Sequence, residues 1–242
     1  MNMQRWEYAS KNSPLERYGH NLTRLAQQGA FAPLAGEEAV IGRVFQILLR
    51  NTKNNPVLLD RDETRRWAIV AELVRRMAVG DAPAHLLKCQ VIALDYEALC
   101  FDLLDDAFSC QERREQKIAP LIEKLSQAEL ESEEYWDLLN RLFLPPPLEE
   151  WIAPDLVLER LQSMFIAMHQ AVDAYLLFVD PLHRLLGGER EKHPIDAAPL
   201  LKPVLARRQI QMIGACTLEQ YRQHVERDAA MERRFQAIAL AT

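Results

Sequence analysis

Residues 55–80 read NPVLLDRDETRRWAIVAELVRRMAVG, a short apolar run followed by a longer amphipathic segment. The run at 55–59 predicts a buried strand, because it is brief, apolar and bounded by polar residues. The segment at 64–79 predicts a helix, and Gly80 is a natural position for its end. A strand followed directly by a helix is the repeating unit of α/β folds.

The same alternation continues along the chain. Further short apolar runs predict strands at 90–94, 174–179 and 210–215. Helices are predicted at 37–50 and 196–206. We therefore expect the α/β class, with a parallel sheet between helices in a three-layer αβα sandwich.

The first predicted element is a single helix from Ser13 to Gly29. Ser13 can cap the first helical amides, Pro14 suits the first helical position, and Glu16 can complete a capping box. Apolar residues follow at helical spacing, and Gly29 is a natural stop.

Composition argues against several functional classes. The 242 residues are 49% hydrophobic and 26% charged, which is ordinary for a globular protein and argues against disorder. The net charge of −6 argues against a nucleic-acid partner, because phosphate binding needs a concentrated basic surface. No apolar run reaches the roughly 20 residues that span a membrane, and the N-terminus lacks an apolar signal core. We therefore expect a cytoplasmic protein with no membrane partner.

Cysteine and histidine usage predicts no metal site. Cys89, Cys100, Cys110 and Cys216 show no C-x-x-C spacing, and the six histidines are scattered along the chain. Paired ligands at short spacing are typical of zinc sites. The simplest expectation is that the thiols are reduced and buried.

Between about 105 and 150 the residue pattern changes, and the new pattern predicts a helical hairpin inserted into the α/β body. Apolar stripes lie in a charged background, and the prolines at 145–147 must end the second helix. One interpretation is a solvated hairpin that covers the surface of the body. The other is a docking surface for a protein partner, with Trp136, Leu139 and Phe143 as anchors.

Short fragments in a fixed order carry a family resemblance. They are LERYGHNLT at 15–23, TKNNPVL at 52–58, AIV at 68–70, GDAP at 80–83, LKP at 201–203, LAR at 205–207, IGACT at 213–217 and DAAMERRF at 228–235. Together they resemble the first nucleotide-binding module of the Clp chaperones, the ClpA, ClpB, ClpC and ClpV group. The resemblance covers roughly 15–100 and 155–237.

This resemblance implies an architecture for the chain. Residues 1–242 are expected to form a single large subdomain of an AAA+ module, with the P-loop fold. The family's small helical subdomain and its N-terminal substrate domain are expected to be absent.

The resemblance also implies where a nucleotide would bind, and these positions depart from the family pattern. In G-x-x-x-x-G-K-[ST], glycines let backbone amides face the phosphates, the lysine reaches them and the hydroxyl holds magnesium. Here the glycine positions carry Asp60, Glu63 and Arg65. The lysine position carries Arg66, and the hydroxyl position carries Trp67. Acidic side chains would repel a polyphosphate, so we expect no nucleotide cofactor.

A second departure affects hydrolysis. In the family, the strand that corresponds to 174–179 ends in Asp-Glu. The aspartate helps to place magnesium, and the glutamate orients the attacking water. This sequence keeps Asp180 but has Pro181 at the glutamate position, and proline cannot act as a base. We therefore expect no catalytic residue and no ATPase activity.

Some family positions remain intact. Thr217 lies at the family's sensor position, and Arg233 and Arg234 lie where arginines reach a neighbouring subunit's nucleotide. The resemblance thus allows this chain to supply arginine fingers in trans. The simpler interpretation is that the two arginines form salt bridges with Glu232 or Asp228.

Three functional hypotheses follow. The first is a non-hydrolysing pseudo-ATPase, a protein-binding, regulatory or scaffolding subunit whose partner is a Clp-type AAA+ ATPase or another copy of itself. The alternative is a divergent ATPase of the ClpB-like family that retains nucleotide binding or hydrolysis through Arg66. The third is an unrelated binding role on the same fold. The missing Gly-Lys-Thr and glutamate favour the first hypothesis over the second.

Overall fold

A computed structural model describes residues 13–100, 154–187 and 195–240. Contacts divide the chain into two compact units, Met1–Tyr96 with Pro154–Thr242, and Glu97–Ala153. The sheet lies in the first unit. The predicted insert at 105–150, with its candidate anchors Trp136, Leu139 and Phe143, falls outside the described residues and stays a prediction.

The described residues form a six-stranded sheet. Its strands are β1 (Gly19–Asn21), β2 (Asn55–Leu59), β3 (Cys89–Leu94), β4 (Ala174–Val179), β5 (Gln211–Cys216) and β6 (Phe235–Ala239). Their order across the sheet is β1-β3-β4-β5-β2-β6. All neighbours are parallel except β1, which is antiparallel to β3. The predicted α/β class is confirmed, and the four predicted strands correspond to β2, β3, β4 and β5.

Helices connect the strands. They are α1 (Pro14–Arg17), α2 (Leu22–Gln27), α3 (Glu38–Leu48), α4 (Glu63–Val79), α5 (Tyr96–Cys100), α6 (Pro154–Gln170), α7 (Ala198–Ala206), α8 (Leu218–His224) and α9 (Ala229–Glu232), with 3-10 turns at Leu86–Lys88 and Leu182–Leu185. Alternate strand residues, such as Val91 and Phe178, pack in one core cluster with α2, α3 and α4. The intervening residues, such as Ile92 and Leu177, are equally buried. Both faces of the sheet are therefore covered, which is the predicted three-layer arrangement.

The predicted helix at 13–29 is wrong in one respect, because the segment is broken into α1, β1 and α2. A Cβ at Gly19 would lie 2.4 Å from Cγ2 of Ile92, so only glycine allows β1 to approach β3 this closely. Asn21 then starts α2, since its side chain accepts a hydrogen bond from the amide of Arg24 (2.9 Å). Strand pairing across the sheet overrides the local helical pattern.

The last strand, β6, has no counterpart among the predicted elements. It pairs in parallel with β2 along its length, with Phe235 opposite Asn55 and Ala239 opposite Leu59. The run that follows Phe235 is too short and too mixed to predict a strand. Its conformation depends on a partner strand that is distant in sequence.

Asn55 connects the amino-terminal ends of three neighbouring strands. Asn55 is 1% exposed, and its Nδ2 donates a hydrogen bond to the carbonyl of Arg234 (2.9 Å). Its Oδ1 accepts a hydrogen bond from the amide of Met212 (2.8 Å). Nearby, Nε2 of Gln211 donates to the carbonyl of Asn54 (2.8 Å). The segments that precede β2, β5 and β6 are therefore fixed to one another.

Candidate functional site

The turn between β2 and α4 is where the resemblance implies a phosphate loop. The strand ends at Leu59 and the helix begins at Glu63. Asp62 caps the helix, because its Oδ1 accepts hydrogen bonds from the amides of Thr64 (2.9 Å) and Arg65 (3.3 Å). Free amides at a helix N-terminus attract anions, and here a carboxylate of the chain itself takes that role.

Arg66 is buried against the end of β4. Its Nε donates to Oδ2 of Asp180 (3.0 Å), and its Nη2 donates to Oδ1 (2.8 Å). Its Nη1 donates to the carbonyl of Asp60 (2.7 Å). The side chains of Arg66 and Asp180 are 6% and 0% exposed. Paired hydrogen bonds between a guanidinium and a carboxylate are strong and directional, so Arg66 is held facing inward.

The burial of this ion pair changes the acidity of nearby groups. Burial raises the pKa of Asp180, and the hydrogen bonds and charge of Arg66 oppose that shift. Burial also raises the pKa of the Cys216 thiol, at the end of β5, to about 12. Arg66 therefore stabilises the ionised form of Asp180, while the thiol stays protonated at neutral pH.

Arg65 lies on the outer side of the same helical turn. Its Nε and Nη2 contact Oε1 of Glu37 at 2.7 and 2.6 Å, and its Nη1 contacts Oδ2 of Asp60 at 3.2 Å. Because Glu37 directly precedes α3, this cluster ties the start of α3 to the turn after β2. The guanidinium of Arg65 is thus engaged by carboxylates of the chain.

A second cluster holds the loop that precedes α3. Glu72, on α4, accepts a hydrogen bond from the amide of Leu34 (3.2 Å). It also accepts from Nε of Arg75 (2.6 Å) and Nε of Arg76 (2.8 Å). The hydrogen bond from Arg75 is the largest cause that lowers the pKa of Glu72, to about 2, and burial opposes it. The spacing of the three residues along a helix is the signal that could have predicted this cluster.

Trp67 and Pro181 stand where the resemblance implies the magnesium-binding hydroxyl and the catalytic glutamate. The indole packs edge-on against Phe178, with ring centroids 4.8 Å apart and an interplanar angle of 83°. Pro181 immediately precedes the 3-10 turn Leu182–Leu185. Neither side chain offers an oxygen ligand or a proton acceptor.

Thr217 begins α8. Its Oγ1 accepts a hydrogen bond from the amide of Gln220 (3.2 Å), and its own amide donates to Oε1 of Gln220 (2.9 Å). Thr217 follows Cys216, whose carbonyl accepts a hydrogen bond from the amide of Asp60 (3.2 Å) in the turn after β2. The hydroxyl that the resemblance assigns to a sensor thus serves as a helix cap.

The arginine pair 233–234 lies at the other end of the strands, before β6. The salt-bridge interpretation named Glu232 and Asp228 as partners, and it is wrong. Glu232 pairs with Lys53, and Oδ2 of Asp228 pairs with Nζ of Lys202 at 2.5 Å. The lysines thus take the carboxylates that were expected to neutralise the arginines.

Known proteins resemble almost the whole chain. Chloroplastic ClpC2 of Arabidopsis thaliana is 34% identical over 229 residues, which are 95% of this chain and 19% of that protein. ClpB 1 of Thermosynechococcus vestitus is 33% identical over 228 residues, which are 94% of this chain and 21% of that protein. The S. cerevisiae Hsp104-ADP complex superimposes with a TM-score of 0.63 at 27% identity, covering 94% of this chain and 30% of that chain.

The chain belongs to the Clp/Hsp104 family of AAA+ chaperones. The resemblance inferred from the sequence fragments is therefore confirmed, and the fold is that of the family's nucleotide-binding domain. The chain spans about a fifth of the length of the curated relatives it matches, 19% of ClpC2 and 21% of ClpB 1. A family profile described as "Bacterial TniB protein" also matches residues 132–242.

In this Clp/Hsp104-type domain the predicted positions separate into two groups. The structure brings the loop residues to one end of the parallel strands, where Arg66 meets Asp180. The pair at 233–234 lies at the opposite end. Within the described ranges, Glu63 is exposed and takes part in neither ion-pair cluster. Trp136, Leu139 and Phe143 fall outside those ranges.

Two further observations concern only the part of the chain that the structure describes. None of its helices combines the length and apolarity needed to cross a bilayer. It contains no group of three or more His, Cys, Asp or Glu side chains arranged to hold a metal ion.

Replacing Arg66 should expose the dependence of the domain on the buried pair. Arg66→Met leaves the Asp180 carboxylate buried without a counter-charge, and we expect a loss of about 3–5 kcal/mol in the free energy of unfolding by urea. Arg65→Met is the matched control, because a partly exposed pair contributes below about 1 kcal/mol. The double variant Arg66→Met/Asp180→Leu should recover most of the loss. Equal effects of the two single variants would contradict this assignment.

Glu72 should make stability depend on acid. Its pKa of about 2 in the folded chain lies below the ordinary value of 4.5, so its stabilisation is complete above pH 4.5 and is lost as pH falls toward 2. A shift of this size corresponds to about 3 kcal/mol. Glu72→Gln should lower the free energy of unfolding at neutral pH and have little effect near pH 2. The exposed Glu226→Gln serves as control, and a pH-independent difference for Glu72→Gln would refute the account.

Proposed function

We propose that this chain is a non-hydrolysing pseudo-ATPase that acts as a protein-binding, regulatory or scaffolding subunit. One observation carries the proposal: side chains of the chain itself cap the helix amides and engage the arginine where the resemblance puts a phosphate group. Asp62 caps the amides at the start of α4, and Arg66 is committed to Asp180. In this proposal, the helix amides and the arginine of the degenerate loop are therefore already bound by groups of the chain itself.

The loss of nucleotide binding is argued from competition. A phosphate at this helix N-terminus would have to displace the Asp62 carboxylate and approach Asp60 and Glu63, all of like charge. If Arg66 turned toward a phosphate, the Asp180 carboxylate would lose its counter-charge while its side chain is 0% exposed. Breaking a buried ion pair in this way costs about 3–5 kcal/mol, a large part of the roughly 8 kcal/mol of a micromolar complex.

The loss of hydrolysis is argued from missing groups. Magnesium needs oxygen ligands, and the hydroxyl position carries the packed indole of Trp67. An attacking water needs a proton acceptor, and the glutamate position carries Pro181. Asp180, the carboxylate that remains, is bound to Arg66. These residues support an inactive site even if a nucleotide were to bind weakly.

The alternative is a divergent ATP-binding member of the family. Arg66 is a cation at the lysine position, and it favours this alternative if it can turn from Asp180 toward a phosphate. Relatives bind nucleotides: Hsp104 structures are described as complexes with ADP and with ATPyS and FITC casein. The two proposals differ in whether a nucleotide stabilises the folded chain.

The proposed partner is a Clp-type AAA+ ATPase or another copy of this chain. Support comes from relatives named as chaperones and as ATP-binding subunits of an ATP-dependent Clp protease. The trans arginine role of Arg233 and Arg234 remains part of this proposal. Cys89 and Cys216 are buried free thiols, which suits the reducing cytoplasm.

Thermal unfolding with millimolar ADP or ATP and magnesium tests the proposal. A ligand at about 100 times its dissociation constant adds roughly 2.7 kcal/mol, which is about 5–10 °C for a chain of this size. We expect no shift for this chain and a clear shift for S. cerevisiae Hsp104 as positive control. A comparable shift that Arg66→Ala removes would overturn the proposal in favour of the alternative.

A further inference from the structure

Exposed apolar side chains lie at the amino-terminal end of two neighbouring strands. Leu87 lies in the 3-10 turn that leads into β3, and Val172 lies in the loop that leads into β4. Each stands two residues before a member of the strand pair Cys89 and Ala174. Val79, the last residue of α4, is exposed at the same end. Exposed apolar side chains that lie together indicate an interaction surface.

The chain segments that carry these residues are joined by hydrogen bonds. Nε2 of Gln90, in β3, donates to Oδ2 of Asp173 (2.6 Å), the residue after Val172. Nδ2 of Asn21 donates to Oε1 of Gln90 (2.7 Å). The entries into β3 and β4 are therefore ordered before any partner binds, which lowers the entropic cost of association.

Two arginines precede β5, the strand next to β4. Arg207 is the C-cap residue of α7, and Arg208 follows it. Both are exposed, and within the described ranges no carboxylate forms an ion pair with either guanidinium. We call Val79, Leu87, Val172, Arg207 and Arg208 the amino-end patch.

Arg208 has a backbone conformation that is uncommon for its residue type. Its φ is 55°, in the left-handed region. The position after a helix C-cap is typically occupied by glycine, which adopts this conformation without strain. The chain carries an arginine there, and its guanidinium donates to the carbonyl of Asn51. This conformational cost favours a role for the arginine side chain.

The dimensions of the amino-end patch match one face of an α-helix. Neighbouring strands lie about 4.8 Å apart, so the entries into β3, β4 and β5 span about 10 Å. Residues i, i+3 or i+4, and i+7 of a helix span about the same length, at about 1.5 Å per residue. Two apolar anchors and one carboxylate at these positions would face the apolar residues and the arginines in turn.

Other classes of partner fit the patch less well. An extended peptide adds to a sheet along an edge strand, whereas the patch lies across the ends of strands. Anionic membranes attract cationic surfaces that insert aromatic or leucine side chains, and this chain has a net charge of −6 and no aromatic residue in the patch. Nucleic acids are bound mainly through cations, so the apolar half of the patch would add little.

We propose that the amino-end patch binds an amphipathic helix of a partner protein, with leucine-type anchors at i and i+3 or i+4 and a carboxylate at i+7. Leu87 and Val172 contact the anchors. Arg207 and Arg208 pair with the carboxylate, because a guanidinium forms paired hydrogen bonds with it. This inference rests on the proposed function, whose protein-binding role it deepens by naming the chemistry of the partner.

Fluorescence anisotropy with a designed peptide tests the proposal. The probe is a fluorescein-labelled helical peptide of about 14 residues, with leucine at i and i+3 and glutamate at i+7 and i+8. A second peptide has the same composition in scrambled order, so that leucine and glutamate share no helix face. Both are titrated with the full chain, without nucleotide, at about 0.1 M salt, where charge pairs are only partly screened.

Three variants of the chain separate the patch from the rest of the surface. Leu87→Ser/Arg207→Glu changes one apolar residue and one cation of the patch. Leu218→Ser/Arg61→Glu makes the same changes at exposed positions at the opposite end of the strands and serves as the control. Arg208→Gly removes a cation where glycine suits the backbone, so its melting temperature should not fall. Circular dichroism checks that each variant folds.

The proposal predicts saturable binding of the probe and weaker binding of the scrambled peptide. Binding of the probe should weaken at least about tenfold for Leu87→Ser/Arg207→Glu and stay unchanged for the control variant. Arg208→Gly should weaken it about threefold, as expected for one exposed charge pair. A loss of binding without a loss of stability is the result that a merely structural role of Arg208 would not give.

Several outcomes would overturn the docking site. They are no binding of the probe, equal binding of the scrambled peptide, and equal weakening by the control variant. Vesicles of phosphatidylglycerol and phosphatidylcholine, or a second copy seen by sedimentation velocity, would also overturn it if they occupied the patch and the probe did not. All of these leave the loss of nucleotide binding intact, because thermal unfolding with ADP or ATP tests that loss separately.

Discussion

The ion pair between Arg66 and Asp180 is the constraint on which the rest of this site depends. It joins the first turn of α4 to the end of β4, two elements that are separated by more than a hundred residues along the chain. Because both side chains are almost fully buried, each charge requires the other. The pair therefore fixes the arginine at the position that the resemblance assigns to phosphate binding, together with the acid at the position that it assigns to magnesium binding.

Around this pair, carboxylates of the chain cap the start of α4 and engage Arg65. Asp62 occupies the amides of α4, and Asp60 with Glu37 engages Arg65. Glu72 then anchors the loop that contains Leu34. In a Clp/Hsp104-type domain, these contacts order the loops next to the phosphate region without a nucleotide. Under the proposed function, stability and the loss of nucleotide binding are two consequences of the same set of interactions.

The sequence predicted the parallel sheet because short apolar runs such as 55–59 carry a strong local signal. It predicted neither β1 nor β6, since both depend on partner strands far away in the chain. The departures from the family pattern at Arg66 and Trp67 could be predicted from their place in the resembling motif. The pairing of Arg66 with Asp180 could not be predicted from the sequence. That pairing is decided by which elements the topology brings together, as is the engagement of Glu232 by Lys53.

The most direct measurement of the central claim is the ¹H–¹⁵N resonance of the Arg66 Nε–H, assigned by its absence in Arg66→Met. The account predicts a signal that exchanges slowly with solvent and does not move when ADP and magnesium are added. A shift or broadening of this resonance with ADP, saturating as a binding curve, would contradict it. That result would mean that Arg66 leaves Asp180 for a phosphate and that the site is still a nucleotide site.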